Sequence, residues 1–164
     1  MDTLDIFSTQ RVRYRGKYSF EDLYEAIYEY FDTKRYDAFE KKYAKSGDDK
    51  VDLEVEGQKE INALIRRRIV IEITAFDMQE FIVSTSQGRK KMTEGRLIIT
   101  LTGYCDIDYR NIFGEDGRLG SLGPSLYKVL KGNIFKKYFG PNYYAPVYKD
   151  TAKLRGKLNG VLNR

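Results

Sequence analysis

The 164-residue sequence contains no His and a single Cys, and these two counts limit the chemistry of its side chains. Without His, the chain cannot build a Ser-His-Asp or Cys-His nucleophile, a His-ligated zinc or haem site, or a histidine pH switch. One Cys, Cys105, cannot form an intrachain disulfide, a Cys-ligated zinc site or an iron–sulfur cluster. It lies in a predicted strand and is interpreted as a small buried hydrophobe. No Lys or Tyr stands out as a base, so we expect a protein that is not an enzyme and holds no cofactor.

The carboxylates most suited to metal or acid–base chemistry are Asp106 and Asp108. They lie two residues apart on a predicted strand and therefore on the same face of it. With Glu94 or Glu115 they could bind a hard cation such as Mg²⁺ through oxygen ligands. An EF-hand loop started at Asp106 fails, because Arg110 occupies its fifth position and its sixth is not Gly. We interpret the pair as solvated acids on the outer face of a strand and predict no metal site.

Two other stretches could contact phosphate groups. Four glycines recur at every third position from Gly114 to Gly123, and GxxG spacing clamps nucleic-acid backbone in KH domains. A KH loop joins two helices, whereas a strand precedes this one, and no Lys-Ser or Lys-Thr follows as in a P-loop. We therefore predict a flexible loop.

Three consecutive arginines, residues 66–68, precede the strongest predicted strand. Alternate side chains of a strand share a face, so only Arg66 and Arg68 could act together. They could bind phosphates, or pair with acids on neighbouring strands such as Glu54 and Glu56. We favour pairing.

Positive charge is concentrated in the last part of the chain. Residues 1–84 carry 14 basic and 18 acidic side chains, whereas residues 121–164 carry nine basic side chains and one acid, Asp150. Such asymmetry can mark a nucleic-acid, anionic-lipid or acidic-protein surface. Alternatively, basic C-terminal helices fold over an acidic sheet or N-terminal helix, in the same chain or in a neighbouring copy, and the charges neutralise each other.

Tyrosines are interleaved with these basic residues, and this composition suits two kinds of interface. Binding of single-stranded nucleic acid needs cations for phosphates and flat rings for bases. In a protein interface, Tyr anchors the contact and Lys forms its rim. The candidate interface or polyanion-binding residues are Lys128, Lys131, Lys136, Lys137, Tyr143, Tyr144, Lys149, Lys153, Arg155 and Lys157.

Hydrophobic periodicity predicts the elements that position these residues. Ser19 begins a helix signal in which apolar residues recur at three- and four-residue spacing to Phe31, opposite an acidic face. Before it, the chain alternates loosely and predicts one or two short strands. After it, strands are predicted over residues 36–43, 51–55, 68–76, 81–84 and 96–108. Gly103, inside the last of these, indicates a bulge or a close backbone approach.

Two helices are predicted in the C-terminal part. Pro124 suits the first turn of a helix, with Leu126, Val129 and Leu130 directed inward. An aromatic connector follows a break at residues 140–141. The final helix is predicted from about Lys149 and needs a partner surface, because two glycines weaken it by about 1 kcal/mol each.

This order of elements predicts a single α+β domain, an antiparallel sheet of about five or six strands with one N-terminal-side helix and two C-terminal helices. Its parts are a sheet-rich body (1–110), a Gly-rich loop (111–123) and a basic, Tyr-rich helical segment (124–164). No apolar run approaches the roughly 18–20 residues of a membrane span. The first residues lack a signal-peptide pattern. We expect a cytoplasmic protein or a component of a virion or particle.

Residues 90–111 (KKMTEGRLIITLTGYCDIDYRN) and 35–42 (RYDAFEKK) resemble uncharacterised small proteins of archaea and their viruses. The resemblance implies no activity, cofactor or site.

The residues themselves favour a non-catalytic binding or assembly module, a structural subunit of a homo-oligomer, particle or larger complex. It would dock through the C-terminal segment on a protein partner or another copy. The alternative is an RNA- or DNA-associated factor that binds phosphates and bases with the same segment. A third hypothesis is a carboxylate enzyme or metal protein centred on Asp106 and Asp108.

Overall fold

The computed structural model describes residues 2–131 and 141–164, with only the backbone for residues 2–8 and 141–144. Its five strands form one antiparallel sheet of order β1-β5-β4-β3-β2. The elements in chain order are β1 (Asp2–Tyr18), α1 (Phe20–Thr33), β2 (Asp37–Ser46), β3 (Lys50–Glu60), β4 (Ile65–Thr85), β5 (Gly88–Ile107), a 3₁₀ turn (Gly120–Leu122), α2 (Gly123–Leu130) and α3 (Pro141–Leu162). The predicted α+β class, antiparallel sheet and helix placement are confirmed.

The number of strands agrees with the predicted five or six, but the strands are longer than the sequence pattern predicts. The opening stretch is one strand of 17 residues, whose pairing with β5 shifts between Ile6 and Gln10. Residues 81–84 are not a separate strand but the far end of β4, beyond an irregularity between Phe76 and Gln79. Asp77 has a positive φ of 52° at this irregularity, which interrupts the alternation that marks a single strand. The predicted strand after α1 is confirmed as β2.

Helix α1 forms as its sequence predicts. The Ser19 side chain accepts a hydrogen bond from the backbone N–H of Asp22 at 3.2 Å and caps the first turn. Leu23, Ile27 and Phe31 are fully buried against the sheet. Phe31 lies over Gly57 of β3, where a Cβ atom would come within 2.5 Å of the ring. Gly57 therefore sets how closely α1 approaches the sheet.

Helix α3 begins at Pro141, eight residues before the predicted start, and Pro146 lies inside it. The aromatic connector predicted after a break at residues 140–141 is therefore wrong, because these residues form the first turns of α3, with Pro146 accommodated in the second turn. Val147 is fully buried on the sheet beside Gly103, where a Cβ would come within 2.5 Å of the Val147 side chain. Gly103 was predicted to mark a bulge or a close backbone approach: the pairing of β1 with β5 is irregular beside it, between Ile6 and Gln10, and the group that approaches it closely is a side chain. The surface that α3 needs is its own sheet.

The two faces of the sheet differ because both long helices pack on the same side. Helix α3 contacts β1 and β5, and α1 contacts α3 and β2. Odd-numbered side chains of the central strands are buried under them: Ile69, Ile71, Ile73, Leu97, Ile99 and Leu101. Even-numbered side chains of β3, of β5 and of β4 as far as Phe76, together with residues 11, 13, 15 and 17 of β1, point to the opposite side. We call this side the open face.

Candidate binding surfaces

The candidate residues predicted at the C-terminus divide between two helices. Lys128 lies on α2 and Lys131 directly follows it, whereas Lys149, Lys153, Arg155 and Lys157 lie on α3. Lys136 and Lys137 lie outside the described residues, and Tyr143 and Tyr144 are described only as backbone in the first turn of α3.

The basic side of α3 is mostly unpaired. Lys157 donates a hydrogen bond to the Glu29 carboxylate of α1, and this bond lowers the pKa of Glu29. The predicted neutralisation of an acidic N-terminal helix by a basic C-terminal one therefore occurs, through one ion pair. Lys149, Lys153 and Arg155 are exposed, and none has an ion-pair partner within the part of the chain that the structure describes.

Helix α2 presents apolar side chains to solvent, contrary to the prediction that they point inward. Leu122, Leu126 and Val129, spaced to share one helix face, are 73%, 49% and 68% exposed. The contact that fixes α2 is made by another side, where the Tyr127 ring packs on Phe113 with centroids 5.6 Å apart. We call Leu122, Leu126 and Val129 the α2 apolar row.

A groove lies between the N-terminal end of α1 and the sheet. Its apolar lining includes Phe20, Tyr24, Tyr43 and Met78, with the carboxylates of Glu21 and Glu80 beside them. Tyr43 is 57% exposed, so the groove is open to a partner. We call it the α1 groove.

On the open face, two arginines of β4 hold a buried carboxylate of β5. Asp106 is completely buried and accepts hydrogen bonds from Arg66 (3.0 and 2.8 Å) and from Arg68 (2.6 and 3.1 Å). The guanidiniums in turn lie over the rings of Tyr109 and Tyr104, at 5.2 and 4.8 Å from the centroids. The predicted pairing of Arg66 and Arg68 with acids of neighbouring strands is confirmed, and the main acid is one that the prediction did not name.

Glu56 of β3 extends this network towards the sheet edge. Its side chain is 2% exposed, and Oε2 lies 2.7 Å from Lys41 Nζ and 3.6 Å from an Arg68 nitrogen. Burial raises the pKa of Glu56, but hydrogen bonds from Lys41 and Gln58 and the charge of Arg68 outweigh burial, so the pKa lies below its ordinary value. We call Arg66, Arg68, Asp106 and Glu56 the paired network.

The prediction that Asp106 and Asp108 are solvated is wrong, because both are buried. Asp108 accepts hydrogen bonds from the backbone N–H groups of Ile112 (2.7 Å) and Phe113 (3.1 Å) and so closes the turn after β5. Cys105 is buried as predicted, and burial raises the pKa of its thiol to about 11. Within residues 2–131 and 141–164, no three His, Cys, Asp or Glu side chains are placed to hold a metal ion.

A second cationic feature of the open face was missed by the sequence reasoning. Arg11, Arg13, Arg15 and Lys17 of β1 are all exposed and point to the open face. The alternation RVRYRGK was the available signal, since Val12 and Tyr14 between them pack on the core. We call these four residues the β1 cation row. No ion pair joins Arg11, Arg13 or Arg15 to a described acid.

The residues opposite the row explain why its three arginines are unpaired. In the register of β1 with β5, Arg11 faces Thr100, Arg13 faces Ile98 and Arg15 faces Arg96, whereas Lys17 faces Glu94. Arg96 pairs with Asp77 on the other side, at 2.6 Å.

Comparison of the chain with protein-family models, curated proteins and solved structures finds no match. Among the helices that the structure describes, none is both long and apolar enough to cross a membrane.

Proposed function

We propose that this protein is a non-catalytic binding and assembly module, a structural subunit of a homo-oligomer, particle or larger complex, that docks through its basic, Tyr-rich C-terminal segment. The α2 apolar row carries the proposal, because Leu122 and Val129 are each about two-thirds or more exposed. A contiguous apolar row in water is unfavourable, and burial in an interface removes this cost. Lys128 and Lys131 give the same segment a positive charge.

The occupant that fits this row best is the α1 groove of a second copy. An amphipathic helix docks by placing its apolar side chains in a groove with an apolar floor, and Tyr43 and Met78 supply such a floor. Glu21 and Glu80 line the groove together with Lys45 and Lys91, and Lys91 pairs with Glu80 at 3.0 Å, so apolar burial and not net charge favours this contact. The two surfaces differ, so the contact is heterologous and builds a ring or a filament rather than a two-fold dimer.

Size-exclusion chromatography with light scattering tests this proposal. We expect the wild-type chain to elute as an oligomer of its 19.2-kDa subunit at 0.15 M and at 1 M salt. The double variant L122E/V129E should be monomeric, because two charges cannot enter an apolar groove. Tyr43→Glu should be monomeric as well. Phe39→Glu is the matched control, since Phe39 is a 40% exposed aromatic outside both surfaces.

A mixture of the two variants gives the most specific test of the proposed contact. Each monomeric variant keeps one intact surface, so an equimolar mixture of L122E/V129E with Tyr43→Glu should form a heterodimer and stop there. A wild-type monomer at millimolar concentration, or an oligomer that survives both sets of substitutions, would refute assembly through these surfaces. Unchanged circular dichroism of each variant shows that the fold is retained.

A specific observation also favours the second candidate, an RNA- or DNA-associated factor using the same segment. Lys149, Lys153 and Arg155 are exposed along α3 and have no acidic partner among the described residues. The same chromatography, recorded at 260 and 280 nm, separates the candidates. Material absorbing at 260 nm that is lost at 1 M salt from a monomer would favour nucleic acid over assembly.

A further inference from the structure

The β1 cation row is a regular array of charge that the fold does not use. Two residues of an antiparallel strand advance about 6.8 Å, so the four cations extend over about 20 Å. Arg11, Arg13 and Arg15 are exposed and have no ion-pair partner among the described residues. Lys17 lies opposite Glu94 on β5 without an ion pair between the described side chains, and its ammonium is 5.6 Å from the centroid of Phe81.

The row is electrostatically unfavourable for the isolated protein. Arg15 stands directly opposite Arg96 on β5, and like charges in directly opposed positions destabilise a sheet. Asp77 balances Arg96 through an exposed ion pair, and Glu94 lies nearby in the same pocket without an ion pair to Arg15 among the described residues. A bound polyanion would supply the missing negative charge and relieve the repulsion.

A shallow groove runs beside the row on the open face. It is lined by Arg13, Arg15, Phe76, Arg96 and Ile98, so that cations border an aromatic and aliphatic floor. The Arg96 guanidinium lies 5.5 Å from the centroid of the Phe76 ring. Flat rings beside cations are the pairing that bases and phosphates of a single strand require.

We propose that the β1 cation row and this groove bind single-stranded nucleic acid, with phosphates along the row and bases over Phe76 and Ile98. A single strand fits better than a duplex, because its unpaired bases can stack on the Phe76 ring, whereas the bases of a duplex are stacked within the double helix. An acidic peptide would satisfy the charges but has no bases for the aromatic floor. The site is separate from the α2 apolar row, so it does not depend on the proposed assembly.

Fluorescence anisotropy with labelled 12-nucleotide oligo-dT and oligo-U, from 50 to 300 mM salt, tests the proposal. The triple variant R11Q/R13Q/R15Q should bind about thirtyfold more weakly at 50 mM salt. Its slope of log affinity against log salt should fall by about 2, because each phosphate contact on a single strand contributes about 0.7. Tighter binding of oligo-U than of oligo-dT would indicate RNA as the natural ligand, and the reverse would indicate DNA.

A matched variant separates the site from general attraction. K149Q/K153Q/R155Q removes the same three charges from α3 and should keep its affinity within about threefold. Phe76→Leu should weaken binding about tenfold with the salt slope unchanged, because a stacking ring is lost and no charge is. The single variant Arg13→Glu repeats the test if the triple variant has altered circular dichroism.

Four outcomes would overturn the proposal. They are no binding by the wild type at 50 mM salt, equal losses in both triple variants, loss only in the α3 variant, and equally tight binding of a 12-base-pair duplex or of polyglutamate. The α3 result would move the site to the C-terminal helix, and the polyglutamate result would indicate an acidic protein partner. The test of the proposed assembly measures the mass of the oligomer, so none of these four outcomes changes its result.

Discussion

Two groups of arginines lie on the same open face of one sheet, and only one of them is neutralised. In the paired network, Arg66 and Arg68 share the buried carboxylate of Asp106. Three strand positions of β1 carry arginines of the same chemistry, and Arg11, Arg13 and Arg15 reach no described acid. The difference lies in what the neighbouring strand β5 offers to each group.

The strand register explains this difference. Arg66 pairs directly with Asp106 on β5, and Arg68 lies two residues further along the same face. At the other edge of β5, the three arginines of the β1 cation row lie opposite Thr100, Ile98 and Arg96, and an acid, Glu94, lies opposite Lys17 alone. One residue on the adjacent strand thus decides whether a sheet arginine is held by the fold or remains available to a ligand. The paired network is structural, and the row is the surface to test for binding.

The largest effect expected from this comparison is that of Asp106→Asn. The substitution keeps the shape but removes the carboxylate shared by two guanidiniums whose side chains are only 22% and 17% exposed, and leaves Arg68 with Glu56 at 3.6 Å as its remaining counter-charge. Removing one partner of a buried ion pair costs about 3 kcal/mol of unfolding free energy. For a chain of this size we expect the melting temperature to fall by about 6–12 °C. Urea and thermal denaturation followed by circular dichroism measure both quantities.

Arg13→Gln is the control for this prediction on the other arginine group. It should change the unfolding free energy by less than about 0.5 kcal/mol, since an exposed, unpaired side chain contributes little. Equal destabilisation by Asp106→Asn and Arg13→Gln would contradict the distinction between the two groups.

Much of the fold was predictable because its local signals agree with its packing. The Ser19 cap, the buried row of α1 and the alternation of β4 each point to the element that forms. Gly103 was recognised as a close approach, although its partner, Val147, was not. The start of α3 was missed because a Gly-Pro pair at residues 140–141 is typical of a break, whereas the helix that begins at Pro141 depends on packing against the sheet.

The site was less predictable because it depends on strand register. Asp106 lies 40 residues from Arg66 in the chain, and only the pairing of β4 with β5 makes them neighbours. The same register leaves Arg13 facing Ile98. Composition alone favours the basic C-terminal segment as the binding site. Its basic residues outnumber those of the β1 cation row, but they lie on two separate helices.

The contribution of Glu56 to the stability of the paired network should depend on pH. Burial raises its pKa, but Lys41, Gln58 and Arg68 together hold it below the ordinary value of 4.5. A lowered folded-state pKa gives stability that is present above the unfolded-state pKa and is lost as the pH falls through the folded-state pKa. Glu56→Gln should therefore cost about 1–2 kcal/mol at pH 7 and progressively less below about pH 4.5.

The measurement is urea denaturation of wild type and variant at a series of pH values from 7 to 3. Arg13→Gln again serves as control, because no described carboxylate pairs with Arg13 and its small effect should not change over this range. A constant difference between wild type and Glu56→Gln down to pH 3 would show that the Glu56 charge does not contribute to the network.

The smallest effect comes from giving the β1 cation row the acid that it lacks. Ile98→Glu places a carboxylate directly opposite Arg13, and Ile98→Gln is the matched variant without the charge. Both lose the same apolar side chain, so their difference isolates the ion pair. The unfolding free energy of the Ile98→Glu variant should exceed that of the Ile98→Gln variant by about 0.2–1 kcal/mol, the value of an opposite-charge pair across two strands. The Ile98→Glu variant should also bind oligo-dT more weakly than the Ile98→Gln variant, because Arg13 would then be held as Arg66 is. If Glu and Gln are equally stable and bind equally well, register alone does not determine which arginines of this sheet are available.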